Sequence, residues 1–117
     1  MHDPTEGGMA TGLRELAQAS GVGLHIFADR LPLLDAGTVL CHAFGIDPLG
    51  TIASGALLAA VPVAQVERAM AACSAAQIAC YHIGTVVADA SELLLHGDTA
   101  THPLPTFARD EILTIFA

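Results

Sequence analysis

Met9, Leu13, Leu16 and Ala17 recur at three- and four-residue intervals, the spacing of one helical face. The pattern predicts a helix from Pro4 to Ser20, with Gly21 as its stop. Gly8 and Gly12 lie on a common face of it and would let another element pack close. From Val22 to Ala28 the period changes to two. Val22, Leu24 and Ile26 share one side of that strand, and Gly23, His25 and Phe27 the other. Asp29 to Pro32 reads as a turn. Leu34 to Phe44 reads as a second helix, with Leu40 and Phe44 on its core face and Gly45 ending it.

Ile46 to Gly50 is a loop with Asp-Pro punctuation and room for one helical turn. Ala56 to Val61 is a nearly continuous apolar run, suited to a strand covered on both faces. Pro62 opens a third helix to about Ala75, in which Val63, Val66, Met70 and Cys73 form the inward stripe. Ile78 to Val87 is a strand with a possible bend at Gly84, and Glu92 to His96 a shorter one. Gly97 to Pro105 reads as a connector and Ala108 to Phe116 as a terminal helix. Neither an internal repeat nor a low-complexity linker interrupts the pattern. Strand–helix alternation of this kind predicts an α+β fold, a mixed β-sheet with helices packed on it.

Composition narrows the function classes. A chain of 117 residues makes one domain with one core. Apolar residues reach 53% with only 4% aromatic, a profile of packing rather than disorder. The net charge is −8, and the four basic residues are all scattered arginines: Arg14, Arg30, Arg68 and Arg109. No positive stripe exists to neutralise phosphates, so neither a nucleic acid nor an anionic membrane is expected as partner. The longest apolar run, Ala56 to Ala64, is broken by Pro62 and falls short of the roughly 20 residues a span needs. The first residues are polar and acidic, unlike a signal peptide. Three cysteines, odd in number and without CxxC spacing, read as reduced thiols in a cytoplasmic protein.

The candidate chemistry concentrates at Asp3-Pro4-Thr5-Glu6-Gly7-Gly8. One reading is a helix start: Asp3 caps, Pro4 takes the first helical position, and Glu6 completes a capping box. The other is a ligand loop, in which Gly7 and Gly8 admit a group close to the backbone and the helix N-terminus favours a phosphate or carboxylate. The remaining reactive side chains point to structural roles. Cys41 and His42 diverge by about 100° around a helix, and Cys41 reads as core. Cys73, Cys80 and His82 could approach one another around a helix–strand turn, but their spacing matches no zinc pattern. His25 and His82 read as sheet-face residues, and His2, His96 and His102 as exposed. Asp110-Glu111 suit a helix dipole, and Ser54-Gly55 a bend or a cleft edge.

The run from His2 to Leu24, HDPTEGGMATGLRELAQASGVGL, resembles the "DPT-R/E-GG-L-A…EIAEASGVG" segment of proteins related to aminoimidazole ribonucleotide (AIR) synthetase. That superfamily includes the hydrogenase-maturation dehydratases, thiamine-phosphate kinase, selenophosphate synthetase and formylglycinamidine ribonucleotide synthase. The resemblance continues through Gly45-Ile46-Asp47-Pro48-Leu49, where relatives read "LGLDPL". It extends through Ala53-Ser54-Gly55-Ala56-Leu57-Leu58 and His82-Ile83-Gly84-Thr85-Val86. It implies the later part of the superfamily's C-terminal domain, with partial ferredoxin-like topology. It also implies an upstream strand and helix and a separate N-terminal ATP-binding domain that this chain lacks. ATP and Mg2+ would then serve the intact enzyme, with none expected on this chain alone, and a homo-oligomer is implied.

Carried onto this sequence, the resemblance makes Asp3, Thr5, Gly7 and Gly8 phosphate- or substrate-binding positions, with no catalytic residue and no metal ligand. Glu6 departs from the arginine that the hydrogenase-maturation proteins carry, and a glutamate beside phosphate repels it unless a cation or proton intervenes. The chain also closes Ile115-Phe116-Ala117, without the terminal cysteine that carries the carbamoyl group in those proteins. The functional expectation is therefore a cleft-forming domain of an ATP-dependent AIR synthase-related enzyme, inactive by itself. The alternative is a free-standing oligomerisation or partner-binding module that uses the same fold.

Overall fold

A computed structural model describes residues 1–116. Three helices, α1 (Gly8–Ser20), α2 (Asp35–Phe44) and α3 (Val66–Ala75), accompany four strands, β1 (Gly23–Phe27), β2 (Gly84–Val87), β3 (Leu93–His96) and β4 (Thr101–Pro103). The strands form one mixed sheet in the order β2-β1-β3-β4. β1 pairs antiparallel with β2 and parallel with β3, and β4 returns antiparallel on β3. The fold is α+β, as the alternation of periods predicts.

The core follows from β1's two-residue period. Leu24 and Ile26 face Leu13 and Ala17 of α1, and Leu58 and Leu104 close the same cluster. The parallel register puts Leu93 beside Leu24 and Leu95 beside Ile26, so β3 extends the apolar face. α1 ends as expected. Gly21 takes left-handed backbone (φ 64), and Val22 N–H reaches back to the Ala17 carbonyl at 3.1 Å. The corresponding stop of α2 is Gly45, and that of α3 is the non-glycine Gln77.

Several expectations are corrected. α1 begins at Gly8, not Pro4: Pro4 is fully buried and packs on Gly12, where a β-carbon would lie 2.5 Å from that of Pro4. The proposed cap by Asp3 and the capping box of Glu6 do not form, because Gly7 occupies the cap position without a side-chain bond. Leu40 and Phe44 are exposed, and it is Cys41 that α2 buries. Ala56–Val61 makes one isolated bridge, His2 to Leu58, instead of a strand, and Leu57 and Val61 stay exposed. An apolar run becomes a strand only where a neighbour accepts its backbone bonds.

In the second half, a 3₁₀ turn (Val63–Gln65) precedes α3, and Val63 lies outside the inward stripe, fully in solvent. β2 is confined to Gly84–Val87, which leaves His82 exposed and outside any strand. The connector contains β4, and the terminal helix is a 3₁₀ stretch, Glu111–Phe116. Among the described residues, no helix is long and apolar enough to cross a membrane.

Candidate functional site

The N-terminal loop is held by three anchors. Thr5 carbonyl accepts both Gly8 N–H and Ala53 N–H, each at 3.2 Å, so it closes its own turn and fastens the 51–53 segment. Gly7 and Gly8 both adopt left-handed backbone (φ 77 and 69). This double reversal requires glycine and lets Gly8 lie against the Leu49 and Thr51 carbonyls, where a β-carbon would stand 2.4 and 2.6 Å away. The third anchor comes from the far end of the chain. Gly7 N–H donates to Asp110 Oδ2 at 2.8 Å, and the other oxygen of that carboxylate accepts Ile112 N–H at 3.0 Å.

The facing wall is built as firmly. Asp47 caps the 3₁₀ turn Pro48–Gly50 by accepting Leu49 N–H at 2.8 Å, while its carbonyl accepts the Thr51 hydroxyl at 2.9 Å. Its own N–H donates to Glu111 Oε2 at 3.2 Å. Asp110 and Glu111, expected to act on a helix dipole, thus tie the C-terminal segment to both walls of the loop. No local pattern signals this, because the Gly7 contact spans 103 residues.

The four expected ligand positions divide by this geometry. Asp3 and Thr5 are exposed, as is Glu6, whereas Gly7 and Gly8 are buried. The Gly7 amide already has a partner in Asp110, so its contribution is shape rather than a free donor. Beside the loop lies a cleft of about 450 Å³, bordered by Met9, Leu31, Leu34, Cys41, Leu49 and Ile52, with Ser54 and Gly55 at its edge. Its lining is mostly apolar. Two of the arginines are engaged: Arg14 donates to the Leu104 carbonyl at 2.6 Å, and Arg30 covers the Phe27 ring at 4.6 Å.

Other candidates fall elsewhere. His25 bonds Glu92 at 2.6 Å and lies 4.9 Å from the His96 ring, on the sheet face opposite the core. His96, expected in solvent, is half-buried: Nδ1 bonds the Thr101 hydroxyl at 2.9 Å, and Nε2 is buried without a partner among the described residues. His2 pairs with Glu15 at 2.7 Å. Among the described residues, no three His, Cys, Asp or Glu side chains stand close enough to hold a metal ion.

Residues 1–96 match the family model described as "AIR synthase related protein, C-terminal domain". The carbamoyl dehydratase HypE of Azotobacter vinelandii is 39% identical over 95 residues, which covers 76% of this chain and 27% of that protein. The solved structure of Escherichia coli HypE superposes with a TM-score of 0.80 at 28% identity, over 97% of this chain and 36% of that one. A hydrogenase maturation protein HypE solved in complex with ATP superposes equally well, with a TM-score of 0.80 at 26% identity, over 92% of this chain and 35% of the other. The chain thus spans 21–27% of the length of the curated relatives it first matches.

Proposed function

Because the chain belongs to the family of AIR synthase-related C-terminal domains, we propose that it forms one wall of the ligand cleft of an ATP-dependent enzyme of that superfamily and is not catalytic alone. The observation that carries the proposal is the loop itself. A double-glycine reversal fixed at three points holds Asp3, Thr5 and Glu6 in solvent, and the next residue on, Met9, lines the cleft together with Thr51 and Ala53 of the segment the loop fastens. One solved relative binds ATP, which supports a nucleotide as the common ligand.

The chemistry of this wall is one-sided. The exposed side chains of the loop itself are the carboxylates of Asp3 and Glu6 and the hydroxyl of Thr5, so a phosphate here needs counter-charge from beyond the loop. The residues present do not amount to a nucleotide–metal site, and no catalytic step is assigned to them. In this reading the remainder of the enzyme, an N-terminal ATP-binding domain, contributes Mg2+ and the nucleotide contacts. Asp3 and Thr5 orient the substrate or phosphate end, and Gly7 and Gly8 supply the buried turn that holds those two residues in place.

The exposed apolar side chains of Leu34, just before α2, and of Val39, Leu40 and Phe44 within it support a covered face in the complete protein, against the upstream region or a second copy. Titration with ATP and inorganic phosphate tests the whole reading. The chain alone should give no ATP turnover, while the protein extended to its relatives' length should bind ATP and lose phosphate affinity on Thr5→Ala. ATP turnover by the 117-residue chain would overturn it.

A further inference from the structure

His2 and Leu58 exchange both of their backbone bonds. His2 N–H donates to the Leu58 carbonyl at 2.8 Å, and Leu58 N–H to the His2 carbonyl at 2.7 Å. This is a hydrogen-bonded antiparallel pair that stands alone, and its register fixes its neighbours. Met1 falls opposite Ala59, and the position immediately upstream of Met1 falls opposite Ala60. Toward Pro4 the ladder is closed. The next bonded pair there would join Pro4 to Ala56, but Pro4 has no N–H, and Ala56 N–H already donates to the Ala53 carbonyl at 3.1 Å.

In the other direction the ladder is open. Backbone groups two residues apart in an extended chain point the same way, so those of Ala60 lie on the side that Leu58 uses. Neither has a backbone partner among the described residues. Pro62 ends the slot, since it lacks an N–H and its carbonyl accepts Gln65 N–H at 2.8 Å. Side chains follow the same register. His2 shares a face with Leu58, which belongs to the core, and reaches Glu15 of α1. Met1, Leu57 and Val61 alternate onto the other face, where they are 88, 65 and 42% exposed.

Resting on the reading of this chain as part of a longer enzyme, we propose that the slot at Ala60 receives the polypeptide that leads into Met1, as an antiparallel strand. The upstream region attaches to this chain along that pairing. The position of the slot selects the occupant. It lies in line with His2 and just beyond Met1, so a strand from a separate molecule would have to end against Met1. A continuous chain enters it without a break. The residue immediately upstream of Met1 exchanges two backbone bonds with Ala60. The residue before that lies beside Val61, where an apolar side chain extends the patch of Met1, Leu57 and Val61. An apolar run with bare backbone groups is a receiving edge, and main-chain bonds supply its affinity.

Amide hydrogen exchange, read by NMR on the 117-residue chain and on the protein extended to its relatives' length, tests the pairing. In the short chain the Leu58 amide should be protected and the Ala60 amide should exchange about a hundredfold faster. In the extended protein the Ala60 amide should slow about a hundredfold, to the level of Leu58. Fast exchange at Ala60 in the extended protein overturns the proposal, and the wider reading survives it if that protein binds ATP. Slow exchange at Ala60 in an extended protein that binds no ATP supports the pairing and counts against the wider reading instead. Protection of Ala60 already present in the short chain also overturns the proposal, and a rise of that protection with concentration would assign the slot to a second copy.

Discussion

The carboxylate of Asp110 accepts the backbone N–H of Gly7 at 2.8 Å, joining residues 103 positions apart in the chain. The contact is buried, with Asp110 only 4% exposed, and its second oxygen holds Ile112 N–H. Asp110→Ala leaves both donors without that acceptor and is expected to cost about 2–3 kcal/mol of stability. Asp110→Asn retains one carbonyl acceptor and should cost about 1 kcal/mol. Urea denaturation of the two variants checks this. An alanine variant within about 0.5 kcal/mol of the parent would show that the carboxylate does not hold the loop.

Gly8 and Gly21 have nearly the same backbone, φ 69 and 64, but different surroundings. A β-carbon on Gly8 meets two backbone carbonyl oxygens inside 3 Å, whereas one on Gly21 meets nothing within 4 Å. Gly21→Ala therefore costs only the left-handed strain, about 1–2 kcal/mol. Gly8→Ala adds a clash that backbone must relieve, for a total of about 3–5 kcal/mol. Thermal unfolding of the two variants side by side separates strain from crowding, and equal losses would contradict the packing of Gly8 on the Leu49–Thr51 segment.

These contrasts show which parts of the molecule were legible. α1, β1, α2 and β3 follow from periods that neighbouring residues set, and the stops at Gly21 and Gly45 from residues adapted to them. β4 was hidden inside a Pro/Thr connector because its existence depends on pairing Leu94–His96, not on its own composition. The run Ala56–Val61 failed for the converse reason: it is apolar enough for a strand but finds one partner bond pair, at His2. The double-glycine turn was legible in the motif as a place where the backbone needs glycine. Its lock, Asp110, could not, since a contact between opposite ends of the chain leaves no local signature.

Gln77 carries a left-handed conformation (φ 57) that an L side chain resists. Gln77→Gly removes that strain, worth about 1–2 kcal/mol, and loses about 0.5–1 kcal/mol to the greater freedom of glycine in the unfolded chain. The balance is a gain of roughly 0.5 kcal/mol, read as a higher urea midpoint. A destabilised variant would mean that the Gln77 side chain holds the reversal by contacts of its own.

Asp89 accepts bonds from both the Ser91 hydroxyl and its N–H, at 2.6 and 2.9 Å. The side-chain bond first, and the backbone bond second, hold its carboxyl below the ordinary aspartate value. The folded pKa lies under the unfolded one, so the stabilisation is fully present above the unfolded value and is lost as pH falls through the folded one. Ser91→Ala removes the larger cause. An NMR titration of Asp89 should show its midpoint move upward in that variant, and an unchanged midpoint would assign the depression to the backbone bond alone.

Glu6 stands exposed at the loop, at the position where the family resemblance leads to the expectation of an arginine. If the loop receives an anion, Glu6 opposes it across solvent, with a repulsion of about 0.5–1 kcal/mol for each unit of ligand charge at roughly 6 Å. Glu6→Gln, in the protein extended to its relatives' length, should therefore tighten phosphate or ATP binding about threefold to tenfold at low salt, and the gain should shrink as ionic strength rises. Calorimetric titration at two salt concentrations measures both parts. Weaker binding in the variant would reverse the assignment: Glu6 would then act through a bound cation, and the counter-charge that this wall lacks would be recruited by the loop itself.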